Sequence, residues 1–182
     1  MRLARRGFTI VEVIVVVVAI GLIAALALPH LGSRHREQRV AKLHMARSAV
    51  QSAAALMHGV ALARHGQPQP PCAAAGFGAN PPWLNGAGNG NLCTDSSRVQ
   101  VALLYPAPTL AGIVASAGLV PVAGTPSASQ LAVEGFEIRS AAGGLLVQVS
   151  GGSDASQCAF VYRAPTALGE APLIGPAVTH GC

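Results

Sequence analysis

The sequence has few charged and few aromatic residues. Of its 182 residues, 10% are Asp, Glu, Lys or Arg and 4% are Phe, Trp or Tyr, whereas 51% are apolar. The net charge is +5, but most of the basic residues flank one apolar run near the N-terminus: Arg2, Arg5, Arg6, Arg34, Arg36, Arg39, Lys42 and Arg47. The remainder is close to neutral, so the charge gives little support to binding of nucleic acid, and we expect none.

Residue patterns typical of catalysis or of metal binding are also missing. The six histidines form neither an HExxH nor an HxxxH pattern, and we expect them to be solvated or interfacial. Asp154 and Glu170 have no catalytic partner at an informative spacing, and Ser153 reads as a turn residue rather than a nucleophile. The sequence therefore predicts no enzyme activity, no catalytic residue, no metal site and no cofactor.

Four cysteines, Cys72, Cys93, Cys158 and Cys182, follow the apolar run. None of their spacings resembles CxxC and no histidine stands at ligand spacing, which favours disulfides over a zinc site. Three pairings are possible, and the sequential ones, Cys72 with Cys93 and Cys158 with Cys182, close the shortest loops. Disulfides indicate a periplasmic or extracellular domain.

The apolar run extends from Phe8 to Leu28. As a helix, its roughly 21 residues are about 31 Å long, which matches the hydrocarbon thickness of a bilayer. The arginines before it predict a single span with a cytoplasmic N-terminus. Glu12 is the one acid in the run, and Gly21 and Pro29 are the positions where we expect a kink. A carboxylate at the centre of a span costs roughly 2.5–3.5 kcal/mol, and less near its end, so Glu12 is tolerated but unexplained.

The residues before and within this run resemble the prepilin signature of type IV pilins and type II secretion pseudopilins. A basic leader ends at Gly7, Phe8 follows, and Thr9, Ile10 and Val11 separate it from Glu12. The resemblance implies that a prepilin peptidase cuts after Gly7 and N-methylates Phe8. It also implies that Glu12 pairs with the N-terminal amine of an adjacent subunit and sets the register of the filament, although pairing within one chain stays open.

Three simpler interpretations of the N-terminus also stay open. Small residues near Ala25 to Ala27 would suit a secretory signal, Arg5 and Arg6 a twin-arginine signal, and the apolar run alone a plain uncleaved anchor. The resemblance implies more partners: a prepilin peptidase and N-methyltransferase, further copies and minor pilins in a helical filament, and an inner-membrane platform with its ATPase. The expected location is the bacterial inner membrane, in contact with lipid, before assembly, and then a pilus at the cell surface or a periplasmic pseudopilus.

Beyond Pro29 the helix is predicted to resume, giving one long bent helix from Phe8 to about Ala63 that Gly66 and Pro68 end. An apolar stripe recurs at spacings of three and four: Leu43, Ala46, Val50, Ala53, Met57 and Val60. We expect this stripe to pack on the rest of the chain. Three arginines are expected on the solvated face: Arg36, Arg39 and Arg47.

Pro, Gly and Asn over 67–92 predict a long surface loop braced by Cys72 and Cys93. Short runs rich in Val, Ile, Phe and Tyr predict a three-stranded antiparallel meander over about 135–163: Gly135–Ser140, Leu145–Ser150 and Cys158–Arg163. Between them, Val99–Tyr105 reads as a short strand or helix and Leu110–Leu119 as a small helix.

This order predicts an α+β fold similar to a type IV pilin, with a long N-terminal helix on a small antiparallel sheet and disulfide-braced loops. The predicted parts are a cleaved leader (1–7), a transmembrane helix that forms the filament core (8–28), its amphipathic continuation (29–65) and a globular head (66–182). Downstream segments resemble pilins of the mannose-sensitive haemagglutinin, or MSHA, type: Ser48–His58, Tyr105–Pro106, Gly112–Ile113, Ala117–Leu119 and Cys158–Cys182.

The resemblance implies a structural subunit of a surface filament with a role in adhesion. A type II secretion pseudopilin or a minor pilin carries the same signature and remains an alternative. A different class, a membrane-anchored extracytoplasmic binding module, would use the loop over 67–92 for contacts.

Overall fold

The computed structural model describes residues 10–27, 31–68, 84–95 and 97–182. Two helices open the chain, α1 over Ile10–Ala27 and α2 over Leu31–Arg64. Residues 28–30 between them, including Pro29, the predicted kink, lie outside the described residues, so one long bent helix stays a prediction. The chain divides into two compact units, Met1–Gln38 and Arg39–Cys182, and we call the second the globular unit.

Helix α2 buries one side, as the sequence predicts. Five residues of the predicted stripe are buried and the sixth, Val60, is partly buried: Leu43, Ala46, Val50, Ala53 and Met57. The helix ends at Arg64, and Gly66 follows with a positive φ of 73°, a conformation that glycine adopts without a steric penalty. The predicted stop is thus confirmed to within one residue.

Three short antiparallel strands form the first sheet: β1 (Gly90–Cys93), β2 (Arg98–Ala102) and β3 (Tyr105–Pro106). The predicted loop over 67–92 is wrong at its end, because residues from Gly90 onward belong to strand β1. Residues 69–83 of that loop lie outside the described residues. Gly90 and Asn91 are weak strand formers, and pairing with β2 overrides their preference. Met57 and Ala61 of α2 share a core with buried leucines and valines of this region.

The turn between β2 and β3 places two bulky residues, Leu103 and Leu104, at positive φ angles of 51° and 68°. Such turns normally hold Asn and Gly. Here Leu103 N donates to Asn89 Oδ1 at 2.9 Å and Leu104 N donates to Gly88 O at 2.9 Å. Leu104 is buried, so its packing offsets part of the backbone strain.

Four antiparallel strands in chain order form the second sheet: β4 (Phe136–Ala141), β5 (Gly144–Val149), β6 (Ala159–Arg163) and β7 (Leu173–Ile174). The predicted meander is confirmed to within one residue at each end, but the sheet has a fourth strand. Its inner face, which includes Val147, Phe160 and Tyr162, forms a core with Leu43 and Val50 of α2. The protein is therefore α+β, with a helix packed on antiparallel sheets.

Two helical segments connect the sheets. A helical segment over Leu110–Val114, kinked at Gly112 (φ −98°, ψ −105°), leads into the short helix α3 (Ala115–Ala117), where the sequence predicts one small helix. Glycine is required at the kink, because a β-carbon there would collide with the backbone of Ala107. Helix α4 (Ala128–Val133), which is not predicted, begins at a capping box of Ser127 and Gln130.

Candidate functional site

Helix α1 exposes apolar side chains around its whole circumference. Its eleven large aliphatic side chains from Ile10 to Ile23 are between 48% and 79% exposed. Glu12, in the first turn, is the one charged residue of the helix. An amphipathic helix would cover one side and expose a polar one, so this pattern is typical of a helix that is covered on every side by lipid or by other helices.

Some of the predicted site residues lie outside the described residues, and others lie within helix α1. Gly7 and Phe8, the predicted cleavage and methylation positions, and Cys72 lie outside the described residues. Gly21 lies inside α1, which continues through it as a helix. Within the described ranges, no helix is both long enough and apolar enough to cross a membrane.

Basic side chains of α2 bind backbone carbonyls of the globular unit, contrary to the prediction that Arg39 and Arg47 are solvated. Arg39 Nε donates to Cys182 O at 2.5 Å, and Arg47 Nε donates to Gly175 O at 2.8 Å. Both arginines stand four residues from the buried Leu43, which places all three on one side of α2. That spacing is visible in the sequence and places both arginines at the border of the apolar stripe.

Lys42 and Arg64 extend this anchoring along α2. Lys42 Nζ donates to Glu134 O and lies 4.6 Å from the centre of the Phe136 ring, a cation–π contact. Arg64 Nη1 donates to Cys93 O at 2.6 Å, next to the first sheet. Charged donors on one helix thus contact both sheets.

The disulfide between Cys158 and Cys182 closes a segment of 24 residues at the C-terminal end of the chain. It is one of the pairings that the sequence leaves open. Cys93 is also disulfide-bonded, and its predicted partner Cys72 lies outside the described residues. Cys182 is therefore attached twice, to Cys158 by the disulfide and to Arg39 of α2 by the hydrogen bond to its carbonyl.

Tyr162 joins the two sheets through a buried hydrogen bond. Its side chain is fully buried in β6, and its hydroxyl donates to Pro106 O of β3 at 2.7 Å. Burial raises the pKa of Tyr162 far above its ordinary value, and the nearby Tyr105 raises it further. The hydroxyl therefore stays neutral, and it serves as a structural donor.

His58 of α2 stacks on Tyr105 with ring centres 3.9 Å apart and planes 2° apart. Its Nδ1 lies 3.1 Å from Leu104 O, and because a carbonyl only accepts, Nδ1 carries the proton. The histidine therefore holds the strained turn between β2 and β3 against the helix. This position fits the predicted interfacial role.

Two carboxylates, Asp154 and Glu170, cap local turns. Hydrogen bonds from Ser156 lower the pKa of Asp154, and those from Thr166 and Ala167 lower the pKa of Glu170. Each carboxylate accepts its hydrogen bonds from residues of its own loop. Among the described residues, no group of three or more His, Cys, Asp or Glu side chains is arranged to hold a metal ion.

The comparisons give no relative for this chain. No model of a known protein family, no curated protein and no solved structure matches it. Among the described residues, the feature that points to a function is the exposed apolar helix with its single carboxylate. The globular unit offers anchoring contacts and turn caps.

Proposed function

We propose that the protein is a structural subunit of a type IV pilus-like surface filament. The observation that supports this most is α1, whose large aliphatic side chains from Ile10 to Ile23 are exposed and whose one charge is Glu12. Burial of one such side chain is worth about 1.5–3 kcal/mol. A helix with eleven of them requires a cover, which is lipid before assembly and other α1 helices after it.

The sequence around α1 supplies the chemistry of processing. Gly7 and Phe8 match the prepilin signature, so a prepilin peptidase would cut between them on the cytoplasmic side and methylate the new amine of Phe8. The proposed span is the run 8–28, which continues past α1 at both ends. The protein would lie in the inner membrane until the platform and its ATPase add it to the filament.

The carboxylate of Glu12 then acquires a role in register. A new α-amino group has an ordinary pKa near 7.7–8.0 and is largely cationic at neutral pH. Between packed apolar helices, a carboxylate and an ammonium group attract strongly, whereas a wrong register leaves two desolvated charges without partners. We therefore expect Glu12 to select the axial position of each subunit against the Phe8 amine of its neighbour.

The globular unit would form the outer part of the filament. A disulfide and an α2 helix packed on antiparallel sheets suit a domain outside the cytoplasm. The narrower resemblance to MSHA-type pilins, and with it a role in adhesion, forms part of the proposal. Pseudopilins and minor pilins share the N-terminal signature, and the abundance of the protein in filaments sheared from cells distinguishes a major pilin from both.

Cleavage is tested with Gly7→Leu in the native host. We expect the full-length precursor to accumulate, since a bulky residue keeps the backbone from the peptidase, while Gly21→Ala is processed normally. The measurement is the intact mass of the protein from membranes. If Gly7→Leu yields the same mature mass as the wild type, the cleavage model is wrong.

The register model is tested with Glu12→Val and with Glu37→Val as its control. Glu37 is an exposed acid at the start of α2, so its loss changes the charge equally without touching the apolar helix. We expect Glu12→Val to accumulate in the membrane but to enter sheared filaments far less than Glu37→Val. Equal incorporation of the two variants would contradict the model.

A further inference from the structure

Strand β4 is one edge of the four-stranded sheet. Ser150 N donates to Gly135 O at 3.0 Å, so these two residues form a hydrogen-bonded pair of the β4–β5 ladder. Such pairs alternate along an antiparallel ladder, and the backbone groups of Phe136, Ile138 and Ser140 consequently point away from β5. Within the described part of the chain, no hydrogen bond reaches these outward N–H and C=O groups.

Two opposite charges lie along this edge. Phe136 and Ile138 belong to the core side of the sheet, so the alternating Glu137 and Arg139 lie on its outer side. Their side chains are 44% and 63% exposed and form an ion pair of 2.6 Å within the strand. When this strand is paired antiparallel with a copy of itself about the residue between the two charges, the acid of each copy lies opposite the base of the other.

Only one register of such a pairing satisfies both the hydrogen bonds and the charges. When Ile138 lies opposite the partner's Ile138, all three outward residues form hydrogen-bonded pairs with outward residues of the second copy. Glu137 then lies opposite the partner's Arg139, and the reverse pair forms across the axis. A shift of two residues either way loses one backbone pair and places Glu137 opposite the partner's Glu137, or Arg139 opposite the partner's Arg139.

We infer that β4 is the docking edge for a second copy of this chain, whose own β4 pairs with it antiparallel about a two-fold axis at Ile138. The two sheets then form one continuous sheet of eight strands. An open cavity of about 300 Å³ is lined by Ile138, Ser140 and Leu145 of this sheet and by Pro108, Thr109, Leu110 and Ala128, so the space beside Ile138 is not filled by the chain itself. A two-fold contact joins subunits in pairs and does not propagate, so it is independent of filament growth through α1.

The first experiment measures hydrogen exchange of the wild-type full chain in a nonionic detergent as a function of protein concentration. Dimers formed through β4 protect the amides of Phe136, Ile138 and Ser140, and dilution removes this protection. Association through α1 leaves these amides unprotected. Rapid exchange of the three amides at every concentration would overturn the inference.

The second experiment reverses the charges and then mixes the variants. Glu137→Arg and Arg139→Glu each place like charges opposite one another at two positions, and each is expected to raise the dimer dissociation constant about tenfold or more. An equimolar mixture of the two variants restores dimers, since every pair between unlike chains is again opposite in charge. Neither chain regains its own internal ion pair, so the rescue reports a contact between chains.

Arg163→Glu is the matched control, because Arg163 is an exposed charge of the internal strand β6. Sedimentation equilibrium should give this variant the wild-type dissociation constant. Circular dichroism checks that all three variants are folded. A mixture of the reversal variants that dimerises no better than each alone would refute the pairing of β4 with its copy.

Discussion

Replacing Tyr162 by Phe removes one hydroxyl from the interior of the globular unit without changing the packed ring. The lost hydrogen bond, 2.7 Å to Pro106 O, connects the second sheet to the first. Because a buried acceptor is left without its donor, the free energy of unfolding should fall by about 1–3 kcal/mol at neutral pH. In a chain of this size, each 1 kcal/mol lowers the melting temperature by about 2–4 °C.

The same variant predicts a specific dependence on pH. The pKa of Tyr162 is raised on folding, so its stabilising contribution is complete below the unfolded-state value of about 10 and is lost as the pH rises above it. Above pH 10 the unfolded wild type ionises while the folded protein stays neutral. The stability advantage of the wild type over Tyr162→Phe should therefore shrink by about 1.4 kcal/mol for each further pH unit.

The assay is guanidinium unfolding of the full chain in a nonionic detergent, followed by circular dichroism at pH 8, 10 and 11. Tyr105→Phe is the matched control, since Tyr105 is half-buried and stacks on His58 through its ring. We expect that control to stay within about 0.5 kcal/mol of the wild type at pH 8. A difference between the wild type and Tyr162→Phe that is constant from pH 8 to pH 11 would refute the reasoning.

Two further predictions concern stability. Arg47→Met removes the hydrogen bond to Gly175 O and should lower the free energy of unfolding by about 1–2 kcal/mol, whereas Arg36→Met, at an exposed position, should change it by less than about 0.5 kcal/mol. Gly112→Ala should destabilise the protein by about 2 kcal/mol or more, because its β-carbon meets the backbone of Ala107. Gly59→Ala, in the open interior of α2, should instead stabilise it by about 0.4–1 kcal/mol. Denaturant unfolding measures all four, and equal effects of the two glycine variants would contradict the packing argument.

Prediction from the sequence was most successful where apolar periodicity and turn residues agree. The strands of the meander alternate, and Gly143–Gly144 and Gly151–Gly152 separate them, so their ends were predicted to within one residue. The stripe on α2 was equally clear, because spacings of three and four persist from Leu43 to Val60. Both features are local, which is why a single sequence carries them.

The elements that were missed depend on partners distant in the chain. Strand β7 has two residues and exists through pairing with β6, and β1 contains Gly and Asn but pairs with β2. Helix α4 has only six residues, although its capping box at Ser127 and Gln130 was a usable signal. The anchoring by Arg39 and Arg47 was missed because long side chains at the border of an apolar stripe reach either solvent or a carbonyl with equal ease.

Helix α2 belongs to two cores at once, with Leu43 and Val50 in the one beneath the second sheet and Met57 and Ala61 in the one beneath the first. Neither sheet can lose its cover without disturbing the helix that the other requires. The globular unit should therefore melt in a single cooperative transition, with equal calorimetric and van't Hoff enthalpies, even though its strands form two separate ladders.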